Sequence, residues 1–194
     1  MKKSISMLLA LTMVLALFAG CGASAPEATE APADSVAAPA SALEVMENIW
    51  ANYGDNEKFP VIGGNMESPV DGAPGNYDMT YAENLTYNLL IPADQLANVD
   101  EAATMIHMMN ANNFTGGVVH LVDGADVNAF ASTMRDTIQA NQWMCGFPET
   151  LVIASFGGNY VLVSFGINDA MTPFQTHLGT AYPDAQILYN EAIG

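Results

Sequence analysis

Histidine and methionine meet once in this chain, in Met105-Ile106-His107-Met108-Met109. Thioether and imidazole donors together suit Cu(I), which prefers soft ligands. On a β-strand Met105, His107 and Met109 would share one face while Met108 points the other way, so at most three of these donors converge. Methionine is also a routine filler of irregular cores, and core packing is the plainer reading of the cluster. The second candidate is Cys145, with Trp143 and Met144 before it and Phe147 just after. Those neighbours predict a small buried hydrophobe. A cysteine nucleophile would need an electropositive setting and a base, for which His107, His120 and His177 are the only histidines present.

Other catalytic signatures are missing. No serine lies in G-x-S-x-G, and Ser155 and Ser164 sit inside apolar runs that read as strands. There is no phosphate-binding loop, H-E-x-x-H or EF-hand loop. Asp123-Gly124-Ala125-Asp126 offers carboxylates to calcium but reads better as a helix cap with an acidic first turn. Asn84-Leu85-Thr86 and Asn113-Phe114-Thr115 match glycosylation sequons by chance composition. The chain has 21 Asp+Glu, and no spacing singles out one pair for glycosidase chemistry. The residues therefore predict no catalytic set, no cofactor and no metal. Against those 21 acids stand four Lys+Arg, a net charge of −17, which excludes the basic surface a nucleic-acid binder requires. With 51% hydrophobic and 13% charged residues the chain is made to fold.

The first cysteine has a different setting. Lys2 and Lys3 precede an apolar run from Ile5 to Ala19 that is too short to span a bilayer, which takes ~20 residues. The run ends in Leu17-Phe18-Ala19-Gly20-Cys21, which resembles a bacterial lipoprotein signal: residues 1–20 would be removed and Cys21 would receive a diacylglyceryl group. Cleavage there would leave Lys58 and Arg135 as the only basic side chains beside all 21 acids. Anionic headgroups repel such a polypeptide, so the two acyl chains must do the anchoring. Residues 21–41 form the tether. From Gly22 to Ser41, eight of 20 residues are Ala and three are Pro, with no aromatic residue to bury.

Residues 42–194 are expected to form one globular domain. Ser41-Ala42-Leu43-Glu44 is a capping box opening a helix with Met46, Ile49, Trp50 and Tyr53 on one face and Gly54 as its stop. Glycine and proline recur from Asp55 to Met79, so only Phe59 to Ile62 reads as strand and the rest as loop. Thr80-Tyr81-Ala82-Glu83 opens a second helix ending at Pro92. The second half of Ala102 to Met109 leads through an Asn112-Asn113 turn into a strand from Phe114 to Val122. Asp123 is expected to cap a third helix whose apolar face is Val127, Phe130, Met134 and Ile138. Thr150 to Phe156 and Tyr160 to Phe165 form a hairpin across Gly157-Gly158-Asn159. A short helix between Asn168 and Leu178 would be capped at Thr172-Pro173, and Ala185 to Tyr189 is undecided between strand and helix. The expected fold is α+β: an antiparallel sheet built from two β-hairpins, with helices packed on one face, preceded by a helical N-terminal region.

Val119-His120-Leu121-Val122-Asp123-Gly124-Ala125-Asp126-Val127-Asn128-Ala129-Phe130 resembles the centre of the DUF4358 domain family, found in lipoproteins of Gram-positive anaerobes. Trp143-Met144-Cys145 resembles the W-[I/M]-C element that follows its helix, and Gly158-Asn159-Tyr160-Val161-Leu162-Val163 its final hairpin. The resemblance runs over about residues 83–178, and the stretch Gly63 to Asn76 and the tail after Gly179 fit it poorly. It implies an extracytoplasmic lipoprotein domain of unknown function and supplies no catalytic residues. The sequence thus predicts a non-catalytic binding or interaction module held to the outer face of the cell membrane through Cys21. Its partner would be an envelope protein or a small ligand, not nucleic acid. The alternatives are a cell-envelope hydrolase using Cys145 or a carboxylate pair, and a copper-binding protein using Met105 to Met109.

Overall fold

A computed structural model describes residues 38–194. The expected signal segment, Cys21 and the expected tether up to residue 37 lie outside the described residues. The fold is α+β, and the described residues form four α-helices and one eight-stranded antiparallel sheet. The strands are β1 (Val61–Asn65), β2 (Ser68–Asp71), β3 (Gly75–Asn76), β4 (Val99–His107), β5 (Phe114–Leu121), β6 (Thr150–Phe156), β7 (Tyr160–Gly166) and β8 (Gln186–Ala192). The helices are α1 (Ala42–Ala51), α2 (Leu85–Asn88), α3 (Val127–Gln139) and α4 (Asn168–Ala181). Across the sheet the order is β2-β1-β4-β5-β7-β6-β8, with β3 also paired to β4. Among the described residues no helix is long and apolar enough to cross a membrane.

The helices lie on both faces of the sheet, which corrects the expectation of a single covered face. One core joins Met46, Ile49 and Trp50 of α1 and Phe174 of α4 to Phe114, Val118, Val152 and Leu162 of the sheet. The other joins Leu85 of α2 and Phe130, Met134 and Ile138 of α3 to Val119, Leu151, Ile153, Val161 and Val163. Alternate residues of β6 and β7 point into opposite cores, and both strands are buried along almost their whole length. Their continuous apolar runs are what burial on two faces requires.

Local signals explain most of the elements. Ser41 Oγ accepts from the amide of Glu44 at 3.0 Å, while the Glu44 carboxylate reaches one residue further back than a capping box, to the Ala40 amide. In the hairpin β6–β7, Phe156 pairs with Tyr160, and Gly158 and Asn159 take the positive φ values of 70° and 63° that the tight turn needs. Helix α3 starts one turn later than expected. Its cap is Asp126, accepting from the amides of Asn128 and Ala129, and not Asp123. In α4, Pro173 lies inside the helix instead of at its start, because the first amide, Asn168, is satisfied from outside by the Glu149 carboxylate at 2.7 Å. The second helix also differs: a 3-10 segment, Met79–Asn84, is capped by Asp78 and leaves only one α-helical turn as α2. The undecided tail is the edge strand β8, paired with β6.

The largest difference is the stretch from Asp55 to Met79, which holds three strands: β1 overlaps the strand expected at Phe59 to Ile62 and runs on through Gly63 and Gly64, while β2 and β3 lie where the glycines and prolines predict loop. A Cβ on Gly63 would lie 2.2 Å from the Gly75 amide nitrogen and 2.4 Å from the Ala73 oxygen. Glycine here permits two backbones to touch, and is no sign of a loop. Pro69 sits in β2, the outer strand of this end of the sheet, where its missing N–H costs no ladder bond. Buried Thr104 locks the arrangement by donating to the Gly64 carbonyl at 2.7 Å.

Candidate functional site

One end of the sheet, on the α2/α3 side, is incompletely roofed. Helix α3 covers β6 and β7, but α2 is a single turn, so Ile106 near the end of β4 is left only partly covered. Two connected hollows open there, of about 200 and 380 Å3, and Asn88, Ile106 and Ala111 line both. The smaller is walled by Tyr87, Trp143, Met144 and Phe165, with Asn112, Asn141 and Gln142 at its edge. The larger is walled by Met66, Met108, Met109 and the bare backbone of Gly63 and Gly64.

Each wall is held by short-range hydrogen bonds. The β1–β2 turn that carries Met66 is closed by Ser68 donating to Asn65 Oδ1 at 2.7 Å. Asn65 is only 4% exposed, lines the larger hollow, and its Nδ2 has no hydrogen-bond partner among the described residues. The β4–β5 turn is tightened by His107 Nδ1, which accepts from the amides of Met109 and Asn110 at 3.2 and 3.4 Å. Beyond it, Asn110 Nδ2 donates to the Cys145 carbonyl at 2.7 Å, and Asn112 Nδ2 to the carbonyls of Met144 and Gly146. These amides hold the 143–146 loop in place although Cys145 sits at φ 63° and Gly146 at φ 132°. Trp143 is fixed against Phe165, ring centroids 5.3 Å apart. On the α2 side, Asn88 Nδ2 donates to the Tyr77 hydroxyl at 3.2 Å. Burial, then the nearby carboxylates of Glu67 and Glu83, push that hydroxyl's pKa up to about 12, so it stays neutral.

The groove has no carboxylate and no permanent cation in its walls. Among the described residues no Asp, Glu, Lys or Arg lines either hollow, in a chain with 21 acids, and His107 lines the larger one. It is also where apolar surface is left in the open: Met66 is 86% exposed, Tyr87 80%, Met109 79% and Met144 78%. Single exposed apolar residues are ordinary, but a contiguous set around a hollow marks a place of contact. Four thioethers on long flexible side chains give a surface that adapts its shape to what it meets.

Of the residues that drew attention in the sequence, His107, Met108 and Met109 line the larger hollow together, but they join neither Cys145 nor the other histidines. Cys145 is exposed, which corrects the expectation of a buried thiol: the turn needed at φ 63° swings residues 144–147 out of the core, and Phe147 with them. No hydrogen bond joins it to a histidine. His107 stacks on Phe59, ring centroids 5.6 Å apart. His120 bonds Asp100 and lies against Tyr160. His177 packs on Tyr53, with Nε2 3.6 Å from Glu57. The three rings have three separate sets of partners. The copper set is likewise divided, since Met105 is fully buried in the α1/α4 core while Met109 stands in solvent. Among the described residues no three of His, Cys, Asp and Glu are grouped to hold a metal ion. The sequence reading did not single out Met66, Tyr87, Asn88 and Met144 as a set, because they come from three stretches far apart along the chain. Comparison with known protein families, with curated proteins and with solved structures finds no match for this chain.

Proposed function

We propose that this chain is an extracytoplasmic lipoprotein, anchored through Cys21, whose domain is a non-catalytic binding module that works through the uncharged groove. The observation that carries this reading is the contrast between the groove and the rest of the chain: among the described residues no Asp, Glu, Lys or Arg lines it, yet four of the most exposed large apolar side chains do. Burying them against a partner would remove their apolar surface from water, which is the dominant driving force of association. The lipoprotein signal and the Ala/Pro-rich tether support the location, and the DUF4358 resemblance agrees with it.

Two experiments test the two halves. Wild-type protein should partition into the detergent phase, and Cys21→Ser should abolish that partitioning or leave the chain unprocessed. For the groove, methyl-labelled methionine NMR on the full chain carrying Cys21→Ser separates its walls from the cores. Adding a small neutral apolar probe such as cyclohexanol should shift the methyls of Met66, Met108, Met109 and Met144 and leave Met105 and Met134 unmoved. Equal shifts everywhere, or none, would remove the groove as a binding surface.

A further inference from the structure

The rim of the groove has a sign although its lining has none. Glu67 follows Met66 in the β1–β2 turn, and Glu83 lies one helical turn before Tyr87; both are exposed. Both also act on the buried Tyr77 hydroxyl, whose hydrogen-bond partner is the Asn88 that lines both hollows. Two carboxylates therefore flank the uncharged lining. Among the described residues no cation opposes them. Lys58 sits over the Trp50 ring, at 5.5 Å, in the opposite core, and Arg135 is engaged by Asp136 and Glu191 on α3 and β8. The rest of the chain adds negative potential at every distance a Debye length allows.

Resting on the reading of the groove as a binding surface, we infer that its occupant is a cationic amphipathic segment of another envelope protein. Its apolar side chains would enter the two hollows, and its flanking Lys or Arg residues would meet Glu67 and Glu83. Several features fit such a segment better than a rigid small molecule. The adaptable thioethers suit a row of unlike apolar side chains. Two hollows sharing one floor suit two side chains of one peptide. The amides of Asn112, Asn141 and Gln142 at the edge can bond peptide groups. The charge arrangement excludes anionic partners by repulsion and speeds encounter with cationic ones.

The test uses the full chain with Cys21→Ser and three synthetic amphipathic peptides. They share one apolar face of Leu at helical spacing and differ in having Lys, Gln or Glu at the flanking positions. Binding is read from the methionine methyls of the groove. The Lys peptide should bind roughly three- to tenfold more tightly than the Gln peptide, and the Glu peptide most weakly. The Lys advantage should shrink in 1 M salt and in the Glu67→Gln/Glu83→Gln variant, which leaves the Gln peptide unaffected. If Lys and Gln peptides bind alike while groove methyls still shift, the cationic partner is wrong and the groove stands. If neutral phosphatidylcholine vesicles shift those methyls and no peptide does, the occupant is a lipid surface and the inference fails. If nothing shifts them, cyclohexanol included, the groove reading fails as well.

Discussion

The two faces of the sheet have the same kind of cover and are finished differently. Over one face, α1 and α4 bring Trp50, Tyr53 and Phe174 against Phe59 and Phe114, and the rings interlock at centroid distances of 4.7 to 6.2 Å. On that face each histidine ring packs on an aromatic ring, and only His107 also borders the larger hollow. Over the other, α3 seals the centre, but the 3-10 segment and the single turn of α2 stop short of the strand ends. What is left open is lined by methionine, tyrosine and amides. Rigid rings interlock where the packing is closed, and flexible thioethers line the end that stays open. On the proposed function, the difference separates residues kept for stability from residues kept for contact.

Truncation should expose that difference most strongly. Phe174→Ala, in the closed face, should cost about 3–5 kcal/mol by leaving a cavity among rings that cannot collapse. Met134→Ala under α3 should cost about 2–5 kcal/mol. Met66→Ala, Met109→Ala and Met144→Ala should each change stability by less than about 0.5 kcal/mol, measured by urea denaturation. Comparable losses in both groups would break the comparison, because the groove would then be part of the core. Next in size is Gly63→Ala at the groove wall. Its Cβ meets backbone, which cannot swing aside, so a loss of about 1–3 kcal/mol or more is expected although only one methyl is added.

A smaller effect sharpens the boundary between groove and core. The folded-state pKa of Tyr77 is raised from 10.0 to about 12, so the folded chain holds a proton that the unfolded chain releases. The stability that Tyr77 contributes is fully present below pH 10, falls as the pH rises, and is lost above about 12. Tyr77→Phe should flatten part of that fall in denaturation midpoints measured between these limits. Tyr53, raised further by burial and by Glu57, contributes a loss of the same sign from the closed face. A small effect is also expected at Cys145. Being exposed, it should label rapidly with a thiol reagent in the native state, and replacing His107, His120 or His177 with Ala should leave the rate alone. Cys145→Gly should relieve its positive φ and change stability by at most about 1 kcal/mol.

The contrast also shows which signals were local. The Ser41 cap, the α3 face of Phe130, Met134 and Ile138, and the Gly158-Asn159 turn are decided within a few residues, and they were legible in the sequence. So was the α+β class, since hairpin and helix periodicities stand side by side. Covering of both faces was present too, in the unbroken apolar runs of β6 and β7, but a run of that kind does not say what covers it. Three things were decided only by tertiary structure. Gly63 and Gly75 read as loop because their role is an approach between backbones twelve residues apart. Cys145 read as buried because its apolar neighbours were visible and its turn, held by Asn110 and Asn112 from over thirty residues away, was not. The groove is assembled from residues of five segments whose only common property is their place at one end of the sheet. Sequence spacing determines a side chain's face on its own element. Whether that face is covered depends on how far a neighbouring element reaches, and here that is set by one short helix.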